Sequence, residues 1–368
     1  MEKERVVFLD WLRVIACFLV ILTHCNEPFY FGGQGTYVAS AQDAFWTSFF
    51  VSISRCCVPL FALASSYLLF PLRYDTKTFF KKRLVRVVVP LAIWLALYCI
   101  FSGAENIAGN FRKLLFNFPD PAGHLWFCYM LIGIYLLMPL LSPWAEKASK
   151  KEVQILLGLW LFTTLIPPLR ELNIHVNGTW AIWGEGHWTE YGTFYYVSGF
   201  IGYLMLGLYF RKFVGELSWK KTLLIALPLF LGGFAIAAGW FYSFIPKDFP
   251  VDQPVSTAVH MEVMTRFCTI SVAMMTIGAF LLIRKINCSG GFYKHIVLPV
   301  SKASYGMYLM HMFALVPLFN FWHSAIGTDG FWTTPAVVVL SAVCTYVLCA
   351  LVSIPLQKIP KVGKYIIG

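Results

Sequence analysis

In the stretch RVIACFLVILTH, Arg13 and His24 stand eleven positions apart with only uncharged residues between them. An imidazole with a near-neutral pKa is the usual general base for an alcohol that attacks a thioester carbonyl. A guanidinium stays charged when buried and grips phosphate through two donors. The pair therefore suits transfer of an acyl group from an anionic, phosphorylated thioester such as acyl-CoA to a hydroxyl. Passage of ions or protons uses similar residues, so a non-enzymatic carrier stays open on this signal alone. On a helix the two side chains differ by only about 20° in bearing and lie roughly 16 Å apart along the axis. Asp10 sits one turn before Arg13 on nearly the same side. The three make one stripe, which describes the wall of a single polar passage.

Each of these residues also has a plainer reading. Arg13 can snorkel to headgroups and pair with Asp10, and His24 can be an interfacial residue with a satisfied hydrogen bond. Arg55 resists that reading, because it lies about ten residues into its apolar run, too deep to snorkel easily. It is expected to face the passage with Arg13. His311, near the middle of its run in SYGMYLMH, serves either function or a hydrogen bond between helices. His124 opens another run, and Glu262 and Arg266 sit near the outer start of a further one. These four are candidates for substrate binding. His124 and Glu262 equally fit an ordinary interface role.

The elements that must hold these groups are membrane spans. The 368 residues are 58% hydrophobic and only 13% charged, with mean hydropathy +0.68. A soluble domain carries about 25% charged residues, so the chain is read as an integral membrane protein. Apolar runs recur at roughly 6–25, 44–70, 84–103, 124–142, 153–169, 191–210, 222–244, 262–283, 303–322 and 334–356. All are expected to be helices, because lipid cannot satisfy backbone polar groups and the runs are too long for barrel strands. The predicted fold is an all-α polytopic bundle of about ten transmembrane helices. One membrane domain is expected over 1–368, with no cleaved leader.

Charge sets the orientation. The loops at 71–86, 146–152, 211–221 and 284–295 and the tail at 357–364 are rich in Lys and Arg, and the intervening loops are poor in them. This alternation predicts cytoplasmic N and C termini. It also accounts for the net charge of +11 without nucleic acid as a partner. The ten cysteines, mostly within apolar runs, read as small buried hydrophobes, Cys25 beside His24 included. No ligand spacing suggests a metal, and no phosphate loop, nucleophile elbow or dinucleotide fingerprint is present.

Several segments together resemble one known family. FLDWLRVIACFLVILTH is similar to the opening of membrane acyltransferase family 3, whose hallmark is an arginine and a histidine separated by ten residues. SRCCVPLFALASSYLL (54–69) resembles its second-span segment, with Ser66 where the family usually has glycine. FFKKRLVRVVVPLAIW (79–94), HLWFCYMLIGIYLLMPLL (124–141) and SKASYGMYLMH (301–311) follow in the family's order.

The resemblance implies transfer of an acyl group, commonly acetyl, from acetyl-CoA or another acyl-CoA to a surface-glycan or lipid-linked sugar acceptor. It implies a bacterial cytoplasmic (inner) membrane. His24 becomes the expected base, and Arg13 and Arg55 the residues supporting catalysis and the donor. The donor phosphates are expected on Lys82, Arg83 and Arg86 at the inner vestibule. Two rivals remain: a carrier or flippase for an anionic or glycan-linked solute, and a structural subunit of a glycan-assembly complex.

Overall fold

A computed structural model describes residues 5–32, 35–101, 107–113, 118, 120–178, 192–327, 329–360 and 362–368. Most of the loop at 175–191 thus lies outside the described residues. In chain order the helices are α1 (Val7–Asn26), α2 (Ala41–Ser54), α3 (Cys57–Leu69), α4 (Thr76–Phe101) and α5 (Ile107–Lys113). Then come α6 (Trp126–Lys147), α7 (Lys150–Thr163), α8 (Ile166–Asn177), α9 (Ile201–Phe213) and α10 (Trp219–Phe244). The last are α11 (Val255–Met261), α12 (Ile270–Ile283), α13 (Leu298–Ile326), α14 (Thr333–Gln357) and α15 (Gly363–Ile366).

Among the described residues, nine helical segments are long and apolar enough to cross a membrane. The fold is the expected all-α polytopic bundle. The run at 191–210 takes a different form. Its regular helix, α9, begins only at Ile201, after a 3-10 turn at Tyr195–Val197 and a left-handed Gly199 at φ 73°. Its 13 residues rise about 20 Å, less than the ~30 Å hydrocarbon core.

Two spans are broken where proline dictates. Pro59 has no N–H and its ring clashes with the carbonyl four residues back, which is that of Arg55. The run at 44–70 therefore divides into α2 and α3, with Arg55 capping α2 at the break. Pro167 and Pro168 sit in the first turn of α8 and end α7 in the same way. The start of α7 is set by a capping box, in which the Ser149 side chain accepts from the Glu152 backbone and Glu152 reaches back.

α1 is the central helix and packs against α2, α3, α13 and α14. Around it, helices approach closely where side chains are small. A Cβ on Gly278 would stand 2.6 Å from the Ala226 carbonyl oxygen, so α10 and α12 meet backbone to backbone there. The departure at Ser66 has a similar explanation. Its hydroxyl is fully buried and donates to the Leu204 carbonyl at 2.5 Å. Gly207 opposite leaves the room, since a Cβ there would lie 2.5 Å from Ser66. A two-stranded antiparallel ribbon, β1 (Gly35–Val38) with β2 (Val251–Pro254), pairs Gly35 with Pro254 and Val38 with Val251. It ties the connection after α1 to the one after α10.

Candidate active site

The polar stripe of α1 divides between two ends of the bundle. Asp10 is 1% exposed. Its carboxylate accepts from Arg5 Nε at 2.6 Å and Nη2 at 2.8 Å, from the Tyr293 hydroxyl at 2.7 Å and from Ser301 Oγ at 2.6 Å. Arg13 Nη1 adds a longer contact at 3.4 Å. Asp10 therefore fastens the chain's beginning and the start of α13 to α1. In return, hydrogen bonding to this carboxylate raises the pKa of Arg5 above its ordinary value.

Arg13 opens into a cavity of about 880 Å³. Arg83 and Arg86 of α4 line it, as expected, together with Arg5, Arg73, Arg211 and Lys302. Among the described residues that line it, seven basic side chains face one acidic side chain, that of Asp10, which gives the space a positive potential. Gln357 and Gly368 also line it, so Arg5 and Gly368, the first and last described residues, lie at the same side of the bundle. Some of the charge is structural. Arg211 donates to the carbonyls of Tyr67, Leu68 and Phe70 at 3.1, 3.4 and 3.4 Å. Lys82, expected beside Arg83 and Arg86, does not line the cavity. Its Nζ sits 4.0 Å from the centre of the Tyr74 ring, because one step along α4 turns it away.

At the other end of α1, three imidazoles from three helices come together. The ring centres of His24 (α1) and His311 (α13) are 5.2 Å apart, those of His124 and His311 4.9 Å, and those of His24 and His124 6.2 Å. His124 precedes α6 in the 3-10 turn Asp120–Leu125.

The hydrogen bonds assign the protons. His24 Nδ1 meets Glu27 Oε2 at 2.7 Å, and a carboxylate accepts, so Nδ1 carries the hydrogen and Nε2 is the basic nitrogen of the neutral ring. His311 Nδ1 likewise donates to the Tyr308 carbonyl at 2.6 Å. The buried Nε2 atoms of His124 and His311 have no hydrogen-bond partner among the described residues. His24 and Glu27 line a second cavity of about 290 Å³, whose other walls include Asn320, Phe31, Met312, Val316 and Phe319. Among the described residues no three His, Cys, Asp or Glu side chains are arranged to hold a metal ion.

Arg55 was expected beside Arg13, and the structure places it elsewhere. It is absent from the lining of the basic cavity. Its Nη2 donates to Glu262 Oε1 at 2.7 Å and to the Tyr30 hydroxyl at 3.2 Å, while Tyr30 donates to the same Glu262 oxygen at 2.8 Å. Burial and then the charge of Glu262 push the Tyr30 phenol well above its ordinary pKa, so it remains a donor. The proline-forced break turns Arg55 toward this side, within electrostatic reach of Glu27. Glu262 is thus the partner of Arg55 and Tyr30. Arg266 is exposed and donates to the Val259 carbonyl at 3.3 Å, apart from the cluster. Cys25 is fully buried among Ile21, Leu22, Phe50 and Leu315, a packing residue.

The expected single passage is two spaces here. Phe127 and Tyr308 are in the wall of the basic cavity and none of the three imidazoles is, while His24 lines the smaller cavity. Sequence reasoning missed Glu27, although a carboxylate three residues after a histidine on one helix face was a usable signal. It also missed Tyr308, which carries no charge to mark it, counted Arg73 and Arg211 only as loop charge, and gave Arg5 and Lys302 no role.

A family model described as an acyltransferase domain matches residues 6–354. No curated protein and no solved structure matches the chain.

Proposed function

Because the chain belongs to acyltransferase family 3, and is thus a membrane acyltransferase, we propose that it moves an acyl group, acetyl foremost, from cytoplasmic acyl-CoA to a hydroxyl of a surface-glycan or lipid-linked sugar. The observation that carries this reading is that one helix joins the two halves of the chemistry. Arg13 on α1 faces a space lined by seven basic side chains, and His24 on the same helix is held by Glu27 with Nε2 free to accept a proton. The basic cavity suits the phosphates of CoA, and its volume lies within the range of small-ligand sites. By this reading that side of the bundle, with both termini, faces the cytoplasm of a bacterial inner membrane, in keeping with the charge alternation of the loops.

The acceptor hydroxyl approaches from the smaller cavity. His24 Nε2 takes its proton as the oxygen attacks the thioester carbonyl. The carbon–sulfur bond breaks, an ester forms, and the proton is delivered to the departing thiolate of CoA. Glu27 orients the ring and stabilises the transient imidazolium, as the third member of a triad does. Arg55, Tyr30 and Glu262 brace the break between α2 and α3, and the unpartnered Nε2 atoms of His124 and His311 offer hydrogen-bonding positions to substrate hydroxyls.

Purified protein supplied with radiolabelled acetyl-CoA and a cell-envelope glycan fraction tests the reading. Labelled glycan and free CoA are expected, and His24→Ala is expected to lower the rate at least ~10²-fold without loss of folded protein. Movement of intact solute across vesicles with no release of CoA would mark a carrier instead.

A further inference from the structure

Tyr308 stands where the two cavities fail to meet. Its ring is 5% exposed and forms part of the wall of the basic cavity. Its neighbours include two of the imidazoles, His311 at 5.8 Å and His124 at 6.3 Å between ring centres, and Tyr305, stacked at 6.5 Å. Phe127, also in the cavity wall, meets it edge-on at 5.7 Å. The Tyr308 hydroxyl donates to the His124 carbonyl at 2.5 Å. Its own carbonyl accepts from His311 Nδ1. One residue thus closes the positively charged space and fixes two of the three imidazoles behind it.

A thioester held by phosphate contacts in the basic cavity has to pass this ring before its carbonyl can reach His24. The ring can yield in only a limited way. Its hydroxyl is keyed to the loop that carries His124, and Tyr305, Phe127 and His311 pack around the ring. Protein interiors are close-packed, so a small opening admits a two-carbon group far more readily than a long chain. We propose that Tyr308 is the gate between the donor cavity and the imidazoles, and that its ring restricts the enzyme to short acyl groups. This proposal rests on the O-acyltransferase reading above, and it names a specificity-determining residue for that reaction.

The test is a ratio, which cancels any difference in the amount of folded protein. Full-length protein in lipid nanodiscs is given acetyl-CoA, butyryl-CoA or hexanoyl-CoA with the cell-envelope glycan fraction, and release of CoA is measured. For the wild-type chain kcat/KM is expected to fall steeply with acyl length. In Tyr308→Ala the hexanoyl-to-acetyl ratio is expected to rise at least about tenfold, the scale on which a pocket discriminates added methylenes. Tyr308→Phe keeps the ring and is expected to keep the wild-type ratio.

Where Tyr308→Ala turns over too slowly to measure, Tyr308→Leu gives the same ratio with a smaller change in volume, and a rise is again expected. A ratio unchanged in the measurable small-residue variant overturns the proposal. So does a wild-type chain that uses hexanoyl-CoA as well as acetyl-CoA. If the wild-type chain releases no CoA from any of the three donors, the O-acyltransferase reading itself has failed, and the gate with it.

Discussion

His24 and Glu27 face each other at 2.7 Å across one turn at the end of the same helix. The carboxylate can only accept, so the contact selects the tautomer whose Nε2 is the basic nitrogen.

That selection predicts the behaviour of Glu27 variants. Glu27→Gln can donate to the ring as well as accept from it, so it no longer enforces the tautomer or balances an imidazolium. The expected loss in kcat is on the order of 10²-fold, within the range of a misplaced general base. Glu27→Asp retains the charge and is expected to recover part of that loss. Steady-state rates of CoA release for the three proteins check this, and a Gln variant as active as the wild type would remove Glu27 from the site.

Asp10 makes a prediction about stability. Its carboxylate is buried and accepts from Arg5, Tyr293 and Ser301 at 2.6–2.8 Å. Asp10→Ala strips a partner from a guanidinium and two hydroxyls at once. Because the Arg5 side chain is 43% exposed and can rehydrate, the cost is expected to fall below the about 3–5 kcal/mol of breaking a fully buried pair. Thermal unfolding in detergent should show a lowered midpoint for Asp10→Ala. Asp10→Asn, which keeps one acceptor oxygen, should fall between it and the wild type.

Much of this arrangement was legible in the chain. Hydropathy located the spans, because a charged group in hydrocarbon is costly enough to leave a clear pattern. The eleven-residue interval from Arg13 to His24 placed a basic and an imidazole end on one helix, because α-helical geometry is fixed. His124 and His311 were singled out by depth more than by motif, and they stand beside His24. What depth could not supply was bearing. Arg55 lies within its apolar segment, but at the break before Pro59 it meets Glu262 and stays outside the cavity that Arg13 lines. Lys82 and Arg83 are neighbours in sequence and point to different surroundings for the same reason. The partition at Tyr308 was invisible, because an uncharged aromatic within an apolar run looks like any other packing residue.

Arg55 and Glu262 should therefore behave as one unit. Each leaves the other's charge unanswered when removed, and Tyr30 is shared between them. Arg55→Ala and Glu262→Ala are each expected to destabilise the fold, and the double variant little more than either. The double-mutant cycle should return a coupling between about 0.5 and 3 kcal/mol. Arg55→Lys should leave KM for acetyl-CoA unchanged, since the side chain lies outside the basic cavity. Additive losses, or a raised donor KM, would return Arg55 to the donor.

The donor side is tested by charge and by salt. Arg13, Arg83 and Arg86 line the positive cavity, and Lys82 does not. Arg83→Ala and Arg86→Ala are each expected to raise KM for acetyl-CoA several-fold with kcat largely kept, because they contribute to binding in ground and transition states alike. Arg13→Lys keeps the charge but loses the planar pair of donors, so it should also raise KM. Lys82→Ala is the control, expected to match the wild type. Raising ionic strength should weaken donor binding in the wild type and do so less in Arg86→Ala, since screening acts on whatever charge remains. A Lys82→Ala protein with a raised KM beside an unaffected Arg86→Ala would show that the phosphates sit on the outer face of α4 and not in this cavity.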